Sequence, residues 1–163
     1  MRALVTGGAG YVGSHMVKTL LDAGFGVVVI DNLRAGYRDA VLGGTFVEGD
    51  IADGELVGNV LAQHRIAAVM HFASHIQVGE SVVDPAKYYR NNLANTVLLL
   101  EAMRSRGVTK FIFSSSAAVY GEPAQFPIPE SHPKAPLNPY GRSKWMVEQV
   151  LADYDRAGSL QSV

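Results

Sequence analysis

The chain has 163 residues, 48% apolar and 18% charged, with 17 glycines, no cysteine and a formal net charge of −1. That length suits one domain able to bury its own core, and the lack of cysteine excludes disulfides, a thiolate metal site and a cysteine nucleophile. Near-neutral charge without a Lys/Arg cluster argues against a nucleic-acid or anionic-membrane partner, and no apolar run reaches the roughly 18 residues of a membrane span.

Short apolar runs alternate with amphipathic stretches, which predicts β-α units around a parallel sheet. Residues 2–6 form the first strand, which breaks at Gly7, too soon for a signal peptide, so a cytoplasmic location is expected. A helix over residues 11–23 follows, with Val12, Met16 and Leu20 facing inward and Gly24 as its stop. Strands are predicted over residues 27–31, 45–48 and 66–71, and Asp53 caps a helix running to about Gln63. Asp84-Pro85 opens a helix reaching Arg106, with Tyr89, Leu93, Val97 and Leu100 on its buried face. Residues 110–114 form a fifth strand. Pro123, Pro127, Pro129, Pro133 and Pro136 then preclude regular structure between Ser115 and Asn138. Asn138-Pro139 starts a last helix that stops near Gly158, and residues 160–163 read as the opening of a sixth strand. The order predicts an α/β fold with a doubly wound, Rossmann-type parallel sheet, cut off at the start of that strand, binding its ligand beyond the carboxyl ends of the strands.

Gly7, Gly10 and Gly13 form G-x-x-G-x-x-G between the first strand and first helix. Gly7 permits a tight turn, Gly10 admits a pyrophosphate to the backbone, and Gly13 lets the helix pack against the strand. The amides opening the helix at Tyr11 and Val12 then face the phosphates. Asp31 ends the second strand 21 residues after Gly10, where a carboxylate accepts the adenosine ribose hydroxyls and repels a 2′-phosphate. The pattern selects NAD over NADP. Arg34 pulls the other way, since an arginine accommodates that phosphate, but Asp31 lies nearer the turn.

Tyr140 and Lys144 are four residues apart at the start of the last helix and share one face. At about 6 Å and an effective dielectric near 20, the lysine charge favours the tyrosinate by about 2–3 kcal/mol, which suits Tyr140 to general-base work. Ser116, after the fifth strand, can bridge a substrate hydroxyl and Tyr140, leaving Ser114 and Ser115 as loop or cofactor contacts. His71 and His75 have no third ligand nearby, so no metal site is expected. Glu48, Asp50 and Asp53 read as strand-end caps, and Trp145, Met146 and Val150 as packing residues.

With these residues in view, the chain resembles the extended short-chain dehydrogenase/reductases, and among them the UDP-glucose (UDP-galactose) 4-epimerases. The resemblance rests on LVTGGAGYVGSH from Leu4, DNL from Asp31, GDI from Gly49, HFAS…VGES from His71 to Ser81, YYRNN from Tyr88, FIFSSSAAVYG from Phe111 and PYGRSKWMVEQ from Pro139. It implies Asp31 and Asn32 on the adenosine ribose, Asp50 and Ile51 near adenine, and Phe72, Ala73, Ser74, Asn91 and Ser114 along a bound NAD. Ser116, Tyr140 and Lys144 become the catalytic set, Tyr140 and Lys144 also contacting the cofactor (Lys144 at the nicotinamide ribose), with Tyr140 taking the sugar 4-hydroxyl proton while C4 is transiently oxidised. The implied substrate is a UDP-sugar and the implied assembly a homodimer through the helices starting at Asp84 and Asn138. Other nucleotide-sugar epimerases, oxidoreductases or decarboxylases, and a non-catalytic NAD-binding module, are the competing readings. Some relatives carry a lysine where this chain has Ile76. The related 4,6-dehydratases place Asp-Glu where this chain has Ala117-Ala118, which argues against dehydration. Such enzymes are about twice this long, so residues 1–163 are expected to be the NAD-binding domain, without the nucleotide-sugar domain and with little activity alone.

Overall fold

The computed structural model describes residues 1–163. Six parallel strands form one sheet: β1 (Arg2–Thr6), β2 (Gly26–Asp31), β3 (Thr45–Glu48), β4 (Ala68–His71), β5 (Lys110–Phe113) and β6 (Gln161–Ser162). Their order is β3-β2-β1-β4-β5-β6, the expected doubly wound arrangement. Strand order reverses between β1 and β4, and a crevice opens at their carboxyl ends. The register sets Thr6 of β1 beside Ile30 of β2 and His71 of β4.

The strands are apolar on both faces because helices cover both. Leu4, Val28, Ile30, Val69 and Phe111 pack into the larger core beneath α2 (Gly54–Gln63), α5 (Asn95–Ser105) and α6 (Pro139–Arg156). The alternate residues Ala3, Val5, Val27 and Val29 meet Val17 and Leu20 of α1 (Tyr11–Asp22). Burying each Val or Leu contributes about 1.5–3 kcal/mol, so both layers hold β1 and β2 at the centre. The three helix starts read from sequence are capped as expected. Asp53, Asp84 and Asn138 accept from the amides of Leu56 at 2.9 Å, Lys87 at 3.2 Å and Gly141 at 2.8 Å, each cap contributing about 1 kcal/mol.

Four local expectations are corrected. The inner face of α1 is Gly13, Val17 and Leu20, and Val12 is exposed; the contact of Gly13 with the glycine turn rotates the helix by one residue. After Asp84 the chain forms α4 (Pro85–Tyr88), a π-helical turn (Tyr89–Ala94) and then α5. Its buried residues are Tyr88, Asn92, Thr96, Leu99, Leu100, Ala102 and Met103; Leu93 packs against the same core as expected, while Tyr89 and Val97 are only half-buried. Asn92 and Thr96 face inward because they carry hydrogen bonds, which apolar periodicity does not register. A short helix α3 (Val78–Val83) precedes Asp84, too brief to show a period. A 3₁₀ turn at Ala117–Tyr120 occupies the start of the segment expected to be irregular, ahead of its first proline.

Candidate active site

The three glycines do three different things. Gly7 has φ +72°, and a Cβ there would stand 2.5 Å from the Ala73 amide nitrogen, so the turns after β1 and β4 touch. At Gly13 a Cβ would lie 2.8 Å from the Gly7 carbonyl carbon and 2.9 Å from Gly8 Cα; glycine lets α1 seat on the turn. At Gly10 the nearest atom is the Gly7 oxygen at 3.3 Å, and the residue lines an open cleft. Its missing side chain leaves room for a ligand. No side chain caps α1, and no acceptor in the chain meets the amides of Tyr11 and Val12. Those donors and the helix dipole suit an anion.

Asp31, Asn32, Asp50, Ile51, Phe72, Ala73, Ser74 and Asn91 line the same cleft. The buried Asp31 carboxylate accepts from the Ala9 amide at 2.9 Å and the Leu33 amide at 2.8 Å. Those bonds fix both oxygens, each of which keeps a lone pair for a ligand hydroxyl. Asn32 Nδ2 donates to Asp50 Oδ2 at 2.9 Å, and Asp50 Oδ1 accepts from the Ala52 amide at 3.0 Å. The ends of β2 and β3 are thereby tied into one wall. Arg34, Ala35, Gly36 and His75 also line it; Ala35 and Gly36 lay outside the sequence reading, and a Cβ at Gly36 would press on the Ala9 backbone at 2.7 Å. Ile76 is exposed in a wider opening beside the cleft.

Lys144 projects from the second turn of α6 into the protein and is 3% exposed. Its ammonium donates to Ser74 Oγ and to the Ser114 carbonyl, both at 2.8 Å, and lies 4.7 Å from the centre of the Phe113 ring. Burial brings its pKa down from 10.5 to about 8. The ammonium is therefore held by Ser74 and Ser114 rather than by the Tyr140 hydroxyl. Ser114 contributes its backbone carbonyl. Tyr140 sits one turn earlier, its ring edge-on to Tyr88 with centroids 6.5 Å apart. The Tyr88 hydroxyl lies 2.6 Å from the Gln77 carbonyl and 2.8 Å from Glu80, and its single proton is shared between them.

Ser116 caps the 3₁₀ turn, its Oγ accepting from the Ala118 amide at 3.2 Å. A Cβ at Gly141 would stand 2.7 Å from the Ala118 oxygen, so this turn lies against the start of α6, next to Tyr140. Ser115 donates to Glu148 of α6 at 2.5 Å, pinning the serine segment to the same helix. Sequence reading missed this strut, and it missed Asn92. The Asn92 amide accepts from the His75 amide at 2.8 Å, donates to the His75 carbonyl at 3.0 Å and to Ser143 Oγ at 3.2 Å. It joins the β4 turn to α6, and its only sequence signal was a polar pair inside a helix.

His71 is no ligand. Its Nδ1 accepts from Thr6 at 2.7 Å and its Nε2 lies 3.0 Å from Thr96 Oγ1. Thr96 donates its own proton to the Asn92 carbonyl at 2.8 Å, so His71 carries its proton on Nε2. Burial first, and the Lys144 charge second, push its pKa down to about 3, and the ring is neutral. No group of His, Asp or Glu residues is arranged to hold a metal.

The model of the NAD dependent epimerase/dehydratase family matches residues 3–163. The chain belongs to that family. It is 51% identical over 160 residues to the UDP-glucose 4-epimerase of Rhizobium leguminosarum bv. trifolii, covering 98% of this chain and 49% of that protein. Against the UDP-glucose 4-epimerase of Azospirillum brasilense the identity is 54% over 163 residues, with 99% and 47% covered. The crystal structure of UDP-glucose 4-epimerase from Brucella ovis in complex with NAD superimposes with a TM-score of 0.96 at 48% identity, over 99% of this chain and 50% of that one. The chain thus spans about half the length of the curated relatives it matches. No helix is long and apolar enough to cross a membrane.

Proposed function

We propose that this chain is the NAD-binding, proton-transferring half of an enzyme that interconverts UDP-glucose and UDP-galactose. The observation that carries the reading is the Lys144 ammonium, buried one turn after Tyr140 and bonded to Ser74, a residue of the cleft that the glycine turn builds. A dinucleotide held along Asp31 and Gly10 would pass Ser74, whose hydroxyl meets Lys144 one turn from Tyr140. The cleft fits it: an uncapped helix start for the pyrophosphate, a fixed carboxylate for the ribose, and open space at Gly10. Bound there, NAD supplies transient oxidation at the sugar C4 carbon.

The chain's own residues handle binding and the proton. Asp31 accepts ribose hydroxyls and disfavours a 2′-phosphate. The amides of Tyr11 and Val12 take the pyrophosphate. Tyr140 Oη removes the proton from the sugar 4-hydroxyl and returns it in the reverse step. Lys144 offers its remaining N–H to the nicotinamide ribose of the cofactor, and Ser116 orients the sugar hydroxyl. Ala117 and Ala118 offer no acid or base for water elimination, which favours epimerisation over dehydration. A bare NAD-binding module would have no use for a buried lysine at this place.

In this reading residues 1–163 are the cofactor domain, and further polypeptide supplies the sugar pocket. Exposure of Ile112 on the α1 side of β5 supports a covering partner there. Leu98 of α5 and Met146 of α6 are exposed and support a homodimer through these helices. Sedimentation as a monomer at tens of micromolar, roughly the range of a weak interface, would contradict the dimer. The activity test adds UDP-galactose to the protein together with its sugar-binding half, then measures UDP-glucose and NADH absorbance. UDP-glucose without net NADH supports epimerisation; net NADH or release of CO2 favours an oxidoreductase or decarboxylase.

A further inference from the structure

We propose that Ser74 is a positioning residue for Lys144, holding the buried ammonium in place through its side-chain oxygen so that one N–H stays free for the ligand in the cleft. The inference deepens the proposed function and rests on its assignment of Lys144 to the cofactor.

Lys144 is a buried cation without a counter-ion. Its two hydrogen-bond acceptors are Ser74 Oγ and the Ser114 carbonyl, both neutral, and the Phe113 ring stands beside it. Around it lie His71 of β4, which is neutral, Tyr140 on its own helix, and Glu148 one turn further on, which is engaged by Ser115. No carboxylate bonds to it. An ammonium has three donors, and two are taken. The Ser114 carbonyl belongs to the backbone following β5 and is fixed by the sheet. Ser74 is the only side chain in the pair. It reaches Lys144 from the far side, out of the turn after β4, and it also lines the cleft. Its Oγ accepts from Lys144, so its own proton is free to be donated toward a ligand oxygen. One hydroxyl thus couples the cleft to the ammonium: it fixes Nζ and directs the remaining N–H.

Removing that oxygen takes away one of two bonds that specifically favour the charged form. A hydrogen bond to a charged group is worth roughly one to two pH units of titration midpoint. The test is NMR titration of the full chain labelled with ¹³C at lysine Cε, with the Lys144 signal identified by its loss in Lys144→Met. Ser74→Ala and Ser74→Gly are expected to lower the Lys144 midpoint from about 8 by about one unit or more. Ser74→Thr, which keeps a hydroxyl, is expected to restore it. A role confined to packing would leave the midpoint in place. NAD affinity by calorimetry is the second readout, and it should weaken severalfold in Ser74→Ala and recover in Ser74→Thr. An unmoved midpoint in both the Ala and Gly chains overturns the proposal. Lys144→Met that binds NAD as tightly as the unaltered chain overturns instead the assignment of Lys144 to the cofactor, and the two failures are told apart by which readout stays still.

Discussion

Replacing Gly13 and Gly10 in turn separates the packing glycine from the binding glycine. At position 13 an alanine Cβ would stand 2.8 Å from the Gly7 carbonyl carbon, 2.9 Å from Gly8 Cα and closer still to the Gly7 oxygen. Comfortable carbon contacts lie at about 3.5–4.0 Å, so α1 must retreat by roughly 1 Å from the turn. Overpacking of this kind costs about 1–3 kcal/mol, against a gain of at most about 1 kcal/mol from alanine's helix propensity. Overpacking wins, and Gly13→Ala should lose about 1–2 kcal/mol, seen as a lower urea midpoint at unchanged slope. Gly10→Ala meets only the Gly7 oxygen at 3.3 Å. Its stability cost is that of a poorer N-cap, about 1 kcal/mol or less, but its methyl takes up space in the cleft. NAD affinity measured by calorimetry should fall about tenfold or more, at least 1.4 kcal/mol. A Gly13→Ala chain with the original urea midpoint, or a Gly10→Ala chain with the original NAD affinity, would refute this division.

Four further outcomes are expected. Tyr140→Phe, in protein that includes the sugar-binding half, should lower turnover by roughly 10²–10⁴ while NAD binding and fold persist; retention of more than about a tenth of turnover would show that Tyr140 is not the base. Ser116→Ala should cost less, since Ser116 orients a proton it does not keep. Asp31→Ala should weaken NAD and narrow its advantage over NADP, and equal binding of both by the unaltered chain would undo the assignment. Acid should destabilise the fold through His71. Between 6.5 and about 3 the unfolded chain takes up a proton that the folded chain refuses, so stability present above 6.5 is lost as pH falls, by up to roughly 5 kcal/mol. Urea midpoints from about pH 7 to pH 4 should drop steeply, and less so in His71→Gln; parallel slopes would contradict the buried neutral ring.

The sheet was legible because its signals are local and strong. β1 to β5 are short apolar runs closed by glycine or a polar residue, and Asp53, Asp84 and Asn138 mark helix starts with side chains that cap them. The cleft residues follow from the same logic, since a doubly wound sheet brings its strand ends together. Errors arose where a residue's inward turn depends on a partner far away in sequence. Val12 fits an apolar stripe, but Gly13 must face Gly7. Tyr89 and Val97 fit a regular helix, but the π-helical turn and the bonds of Asn92 and Thr96 set another face. The contacts of Lys144 with Ser74, Ser115 with Glu148, and Asn92 with His75 and Ser143 join separate elements. No spacing in the chain encodes them, and they form only once the sheet has assembled. Tyr140 and Lys144 were found together because four residues on a helix are neighbours.

A crystal structure of this chain with NAD would decide where the cofactor lies. It is expected to show the adenosine ribose on Asp31, the pyrophosphate on the amides of Tyr11 and Val12, and the nicotinamide ribose within hydrogen-bond reach of Lys144 Nζ, with Tyr140 beside the nicotinamide. A dinucleotide bound elsewhere, or one in this cleft whose nicotinamide end points away from Lys144 and Tyr140, would contradict this placement.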